Sequence, residues 1–301
     1  MRPEIEKAVQ LLRGKGSKGL DQALALLQQT VFAFSMRVCG HREDAEDTMQ
    51  EVLAKSVRHL PHFENPKALG VWLYKVAKNR CLMSRRRSKF APWQELSLEE
   101  LMPERAELDQ LMKSADTPEQ SLLRGEVSQR LRDAVLQVPP AYRLVLVLHD
   151  MEELSTKEVA RITGLREGTV RVRLHRARLF VRKALAKKAG HPRKPEARAK
   201  GTARHGRHAA APPARSRKCR ELFAALSDYM DDELDDQLCT RLEKHLEGCT
   251  PCEAFLANLE DTVKQLSKLE ADRVDTESAA ALRKSLLEHN RKLLAAISER
   301  A

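Results

Sequence analysis

The sequence predicts an all-α protein: two small helical bundles followed by a third small helical domain on a flexible tether. Three observations carry this. Aromatic residues are only 4% of the 301-residue chain and alternating β-branched runs are few, so strand signals are weak throughout. Apolar residues recur instead at helical spacing over long stretches. Two segments of biased charge, 90–119 and 187–218, interrupt that periodicity and divide the chain into three.

Residues 1–89 read as the first bundle. Leu20 to Val38 is apolar at helical spacing, Asp44 to Leu60 forms a second helix and Lys67 to Arg87 a third, with the loop His62-Phe63-Glu64-Asn65-Pro66 between the last two. In the second helix Asp44, Glu46, Asp47, Gln50 and Glu51 cluster within two turns, which suits either a solvated face or a dock for a basic partner. In the third, Trp72, Leu73, Val76 and Ala77 sit at core spacing, and Trp72 reads as a core residue or as a base-stacking one. Lys75, Lys78, Asn79 and Arg80 line the polar side, which continues into Arg85-Arg86-Arg87. A cationic stripe beside an aromatic-containing loop suits a single nucleic-acid strand, because cations follow the phosphates while bases leave the stack.

Residues 90–119 carry 2 Lys/Arg against 8 Asp/Glu and three prolines, the composition of an extended acidic linker with at most one short helix. Residues 120–186 form the second bundle, in which Pro139-Pro140 opens a helix. The most informative stretch follows, LSTKEVARITGLREGTVRVRLHRAR from Leu154. Ser155 and Glu158 have capping-box spacing, Val159, Ala160 and Ile162 make an apolar face, and Thr163-Gly164-Leu165 makes the turn. Val170, Leu174 and Ala177 then point inward, leaving Arg166, Thr169, Arg171, Arg173 and Arg176 outward. This is a helix-turn-helix whose second helix is cationic, the shape that fits a DNA major groove.

Residues 187–218 carry 11 Lys/Arg against 1 Asp/Glu in a Pro/Gly/Ala-rich setting, so they read as a disordered tether of roughly 30 Å r.m.s. span. Residues 219–301 are acidic, with 11 Lys/Arg against 18 Asp/Glu. They hold Cys219 and the run His245-x3-Cys249-x2-Cys252, a donor set suited to one tetrahedral Zn²⁺. Thr250-Pro251-Cys252-Glu253 reads as an N-cap, a proline at the first helical position and a capping-box Glu. Phe255, Leu259, Val263 and Leu266 form an apolar stripe that fits between the first two domains or makes the last domain's own core; residues 276–299 form a further amphipathic helix. Cys39 and Cys81 fall on apolar faces and read as core, Cys239 has no assigned role, and six cysteines in such a chain do not suggest a disulfide framework. No apolar run approaches the ~20 residues of a membrane span, and no signal-peptide core opens the chain, so a cytoplasmic protein without a membrane partner is expected.

The first 186 residues resemble an extracytoplasmic-function (ECF) sigma factor of the sigma-70 family. EDAEDTMQEVLAKSVRHL resembles the family's polymerase-binding helix, ALGVWLYKVAKNRCLMSRRRSK its promoter-melting and −10-reading helix, and VPPAYRLVLVLHDMEELSTKEVARITGLREGTVRVRLHRARLFVRKAL its −35-reading domain. The resemblance implies that Asp44, Asp47, Gln50 and Glu51 meet core RNA polymerase. It implies that Phe63, Asn65, Lys67, Trp72, Lys75, Lys78, Asn79 and Arg80 meet the −10 element, and that Arg166, Thr169, Arg171, Arg173 and Arg176 meet the −35 element. The family's connector threads a basic channel of polymerase, a path the acidic 90–119 segment fits. The tail CRELFAALSDYMDDELDDQLCTRLEKHLEGCTPCEAFLANL resembles the zinc-binding anti-sigma domain of the family's inhibitors, and Cys219, His245, Cys249 and Cys252 match its ligand pattern. The implied protein is no enzyme: it is a sigma factor regulated in cis by a zinc-binding tail that touches its own sigma domains and answers to metal or redox state. The alternative is a polymerase-independent helix-turn-helix regulator with a structural zinc finger. A zinc hydrolase is disfavoured, because four protein ligands leave no open position for water.

Overall fold

The computed structural model describes residues 2–14, 16–85, 96–103, 124–189, 219 and 222–298. Among these, every regular element is helical. The first bundle comprises α1 (Pro3–Gly14), α2 (Gly16–Cys39), α3 (Arg42–Ser56), a 3₁₀ turn (Leu60–His62) and α4 (Pro66–Arg85). Helix α1, absent from the sequence reading, buries Ile5, Ala8 and Val9 on one stripe against α2. Helix α2 is the central post: Leu24, Leu27, Val31, Phe32, Phe34 and Val38 are all buried, and α1, α3 and α4 pack around it. Gly40, at φ +78°, supplies the left-handed step that separates α2 from α3. Cys39 and Cys81 are in this core as expected, yet they are joined as a disulfide between the end of α2 and α4, a pairing the sequence reading did not foresee. Its two sulfurs meet across 42 residues, and only packing brings them together.

A short helix α5 (Leu98–Leu101) belongs to the acidic connector. It is not solvated along its length: Leu96 and Leu101 are buried, and the Leu96 N–H donates to the Tyr142 hydroxyl at 3.3 Å. The rest of the 90–119 linker, apart from 96–103, lies outside the described residues, as does the tether beyond residue 189.

The second bundle comprises α6 (Arg124–Gln137), α7 (Pro140–Leu146), α8 (Thr156–Thr163) and α9 (Glu167–Ala189). Pro139 caps α7 and Pro140 opens it, as the Pro-Pro pair predicts. The helix then widens into a π turn over Val147–Met151, which carries Asp150 and ends at Glu152. Ser155 and Glu158 form the full capping box of α8, and Gly164 closes it at φ +77°. Val170, Leu174 and Ala177 of α9 are buried.

Glu152 joins the two bundles. Its carboxylate is buried and accepts from Arg37 Nη1 at 2.8 Å, from the Tyr74 hydroxyl at 2.7 Å and from Arg2 Nε at 3.1 Å. Burial works against the charge on Arg37 and lowers its pKa, with Glu152 opposing; burial, then Glu152, pushes the Tyr74 hydroxyl well above its usual range. Nearby, Lys78 of α4 donates to the Ile162 carbonyl at the end of α8, at 2.9 Å.

The tail comprises α10 (Leu226–Met230), α11 (Asp236–Glu247), α12 (Thr250–Lys268) and α13 (Thr276–Ser298). Helix α12 buries Phe255, Leu256, Leu259, Thr262 and Leu266, so Thr262 takes the inward position expected for the half-buried Val263. Phe255 stacks against Phe223 at 4.9 Å and lies under the Arg182 guanidinium of α9 at 4.3 Å. Beyond α12 the chain crosses to the first bundle. Arg37 donates to the Leu269 carbonyl at 2.9 Å, Gln29 to Asp272 at 2.7 Å, and Gln28 to Ala279 at 3.2 Å. No helix among the described residues is long and apolar enough to cross a membrane.

Removing one partner of a buried ion pair leaves the others charged and dry, at a typical cost of ~3–5 kcal/mol. Glu152→Ala is therefore expected to lower the urea midpoint far more than Glu51→Ala, whose pair with Lys55 is half-exposed and worth at most ~1 kcal/mol. Equal midpoints for the two variants would show that Glu152 does not hold the bundles together.

Candidate nucleic-acid interface and metal centre

Helix α3 presents the acidic face the sequence predicts: Asp47 and Gln50 are exposed and Asp44 and Glu51 half-buried, while Ala45, Thr48, Met49 and Val52 fill the opposite side. Glu51 also pairs with Arg80 of α4 at 2.8 Å, so one member of each expected surface is tied to the other. Lys55, then Arg80, holds its carboxyl below the usual range.

The loop before α4 is ordered by Asn65, whose Oδ1 accepts from the Lys67 N–H at 2.8 Å. Phe63 and Trp72 approach at 5.8 Å, and with His59 and His62 they line an open cavity of about 220 Å³. Trp72 is half-buried at its rim, which combines the two readings left open for it. Lys75, Asn79 and Lys67 are exposed beside it. Lys78 departs from the expected stripe: it is buried against α8, and burial, followed by Lys75, lowers its pKa. The side chains of Arg85, Arg86 and Arg87 lie outside what the structure describes.

Arg166, just ahead of α9, and Thr169 on it are exposed, and Arg171, Arg173 and Arg176 are half-buried. Arg173 lies 5.9 Å from the Tyr142 ring, a cation–π distance. Arg171 donates to Glu233 of the tail at 3.2 Å. Three further α9 side chains meet the tail outside the expected set. Arg178 is fully buried, paired with Asp150 at 2.6 Å and with Asp231 of the tail at 2.8 Å. Burial opposes its charge, but Asp150 and then Asp231 outweigh burial and raise its pKa. His175 meets the Ser227 hydroxyl at 2.9 Å, and Arg182 donates to Asn258 at 3.2 Å. A signal existed: Arg178 falls four residues after Leu174 on the inward stripe, where an unpaired charge would be costly.

The four expected metal ligands converge. The donor atoms of Cys219, His245, Cys249 and Cys252 all lie within 4.8 Å of one another. His245 Nε2 is 3.5 Å from Cys219 Sγ and 3.4 Å from Cys252 Sγ. A tetrahedron with ordinary Zn–N and Zn–S bonds has N···S edges of ~3.6 Å, so the donor set fits that ion. Local structure explains the convergence. The Asp235 carboxylate caps α11, whose last turn presents His245, and Gly248 ends that helix. Helix α12 then starts one residue earlier than the sequence suggests, with Cys249 at the N-cap instead of Thr250 and with no side-chain cap bond. The cap position that Thr250 was expected to fill thus goes to a sulfur turned toward the cluster. Cys239 lies apart on α11, within 3.5 Å of Glu243.

Family models match in three places: sigma-70 region 2 over residues 24–90, sigma-70 region 4 over 128–181, and a putative zinc finger over 219–252. The chain is 28% identical over 183 residues to the RNA polymerase sigma-H factor of Pseudomonas aeruginosa, covering 60% of this chain and 93% of that one. It is 26% identical over 182 residues to the ECF RNA polymerase sigma factor SigW of Bacillus subtilis, covering 60% and 96%. Against the RNA polymerase sigma factor YlaC of Bacillus subtilis it is 30% identical over 159 residues, covering 53% and 87%.

Burial, then Arg178 and Arg176, lowers the His175 pKa from 6.5 to about 4. The native state then binds fewer protons than the unfolded chain, so the contribution is complete above about pH 6.5 and is lost as pH falls toward 4. Asp150, lowered from 3.8 to about 2 by Arg178 despite burial, adds a further loss between those values. Urea midpoints should fall between pH 6.5 and 4.5, and His175→Gln should flatten that slope. An equal slope in the variant would place the titration elsewhere.

Proposed function

We propose that this chain, which belongs to the ECF sigma factors of RNA polymerase, carries its own zinc-dependent inhibitor in the tail. Promoter-specific initiation is the family's function. The observation that carries the cis-regulatory reading is that the tail bonds to both sigma domains at once, through Arg171, Arg178 and Arg182 on α9 and through Gln28, Gln29 and Arg37 on α2.

Promoter geometry makes that arrangement inhibitory. Elements centred near −10 and −35 lie about 25 base pairs apart, roughly 85 Å along a duplex at 3.4 Å per pair. A chain in which Lys78 of the −10 reader bonds to Ile162 beside the −35 reader cannot reach both. Opening must break the Glu152 junction and detach the tail. The acidic face of α3 meets core polymerase, the Phe63–Trp72 cavity with Asn65, Lys67, Lys75, Asn79 and Arg80 takes the melted −10 strand, and α9 takes the −35 duplex. Lys78 joins the −10 set once α8 moves away. The whole acts where polymerase acts, in the cytoplasm.

One Zn²⁺ held by Cys219, His245, Cys249 and Cys252 fixes the angle between α11 and α12. That angle places Phe255 under Arg182 and α12 along α9. Loss of the metal or oxidation of the thiols frees α12 from that angle, weakens the tail's grip and favours the open form.

Two measurements test this reading. Run-off transcription from host genomic DNA with added core polymerase should be weak with the full chain and at least several-fold stronger with a chain ending at residue 189. Equal output under every metal and oxidant condition removes the inhibitory role. Metal analysis of the reduced protein should give one zinc per chain, lost in Cys249→Ser; full zinc in that variant would show a different ligand set.

A further inference from the structure

Four side chains on one shoulder of α9 face the tail: Arg171, His175, Arg178 and Arg182, spaced so that they stack along one line of the helix. The other shoulder, with Thr169, Val172, Arg173 and Arg176, keeps solvent access, and Val172 is 50% exposed. The tail therefore covers the Arg171–Arg182 line of the recognition helix and leaves Thr169, Val172, Arg173 and Arg176 open.

The covering group is a turn of unusual charge. Asp228, Asp231, Asp232, Glu233, Asp235 and Asp236 fall within nine residues. Asp232 takes a left-handed backbone at φ 55°, and the Glu233 N–H donates to the Asp228 carbonyl at 2.8 Å, so the turn is held in one shape. Asp231 meets Arg178 with both oxygens, to Nη1 and Nη2 at 2.8 Å each. Such a two-pronged contact is the one a guanidinium makes equally with a carboxylate or a phosphate. Yet Arg178 needs no second carboxylate, because Asp150 already takes its Nε and Nη2 at 2.9 and 2.6 Å. The turn thus brings more negative charge than the shoulder has cations to balance. Burial raises the Asp228 pKa against the pull of Arg171, with Asp231 and Glu233 adding to the rise.

We propose that the Arg171–Arg178 shoulder of α9 is a binding site for the phosphate backbone of duplex DNA, and that Asp231 and Glu233 occupy it as phosphate mimics. This rests on the reading of the tail as inhibitor and gives that inhibition its chemistry: the acidic turn and the −35 duplex compete for the same guanidinium groups. It also divides the work along the helix. Arg171 and Arg178 grip a strand and fix register, while Thr169, Val172, Arg173 and Arg176 face base edges, where an exposed valine suits a thymine methyl.

The test uses the full chain with Asp231→Asn and Glu233→Gln together, near-isosteric changes that leave the Arg178–Asp150 pair intact. Binding to a 30-base-pair duplex of mixed sequence is measured against salt, with thermal melting as a check on folding. Freeing two cations for two phosphates should tighten binding on the order of tenfold at low salt. It should also steepen the plot of log K against log salt by about two, at roughly 0.9 per phosphate. Adding Arg178→Ala to that background should remove about one unit of slope. An unchanged slope in the double variant, or no effect of Arg178→Ala within it, overturns the phosphate site. Transcription with core polymerase keeps the two readings apart. Raised output with an unchanged slope leaves the inhibitory tail standing and removes the phosphate site. A steeper slope with output equal to that of the chain ending at residue 189 in both wild type and variant keeps the site and removes the inhibition.

Discussion

A carboxylate taken out of water must bring its partners with it, and Glu152 is buried where three parts of the chain meet. Arg2 precedes α1, Arg37 ends α2, Tyr74 lies in α4, and all three hydrogen-bond one side chain from the second bundle. Arg37 then reaches the Leu269 carbonyl, so the tail is wired into the same junction. Networks of this kind are worth most when every member is satisfied and fail together when one is lost. On the proposed reading, opening returns Glu152, Arg37 and Tyr74 to water as a group.

The tail exploits this design from two sides. Its α10 turn and α12 hold the second bundle through Asp231, Glu233 and Asn258, while the segment from Leu269 to Ala279 holds α2 largely through backbone carbonyls. The first grip sets tail carboxylates against guanidinium groups of α9. The second sets backbone carbonyls of the tail against side-chain donors of α2. Cys219, His245, Cys249 and Cys252 converge at the root of α12, the helix that carries Asn258 toward α9.

Much of this was legible in the sequence where the physics is local. Ser155 with Glu158, Gly164 and the inward Val170, Leu174 and Ala177 all act within a turn or two, so spacing alone predicts them. The same holds for His245, Cys249 and Cys252, which share one helix end and the next helix start. What spacing does not reveal is partnership across the chain. Glu152 meets Arg2 from 150 residues away and Arg178 meets Asp231 from 53, and nothing in either local pattern names the other half. Lys78 looks like any lysine on a cationic stripe until α8 is placed over it. Cys39 and Cys81 sit on apolar faces as expected, but the bond between them depends on how α4 crosses α2.

The central claim is that the tail and the Glu152 junction together keep the two promoter readers closed. Pulsed electron-electron spin resonance between labels at exposed positions 54 on α3 and 161 on α8 measures this directly in the full chain. A closed chain gives one short, narrow distance in the zinc-loaded protein. Removing the metal or replacing Glu152 by Gln should give a broad distribution extending tens of ångströms further. The same narrow distance under all three conditions would contradict the claim.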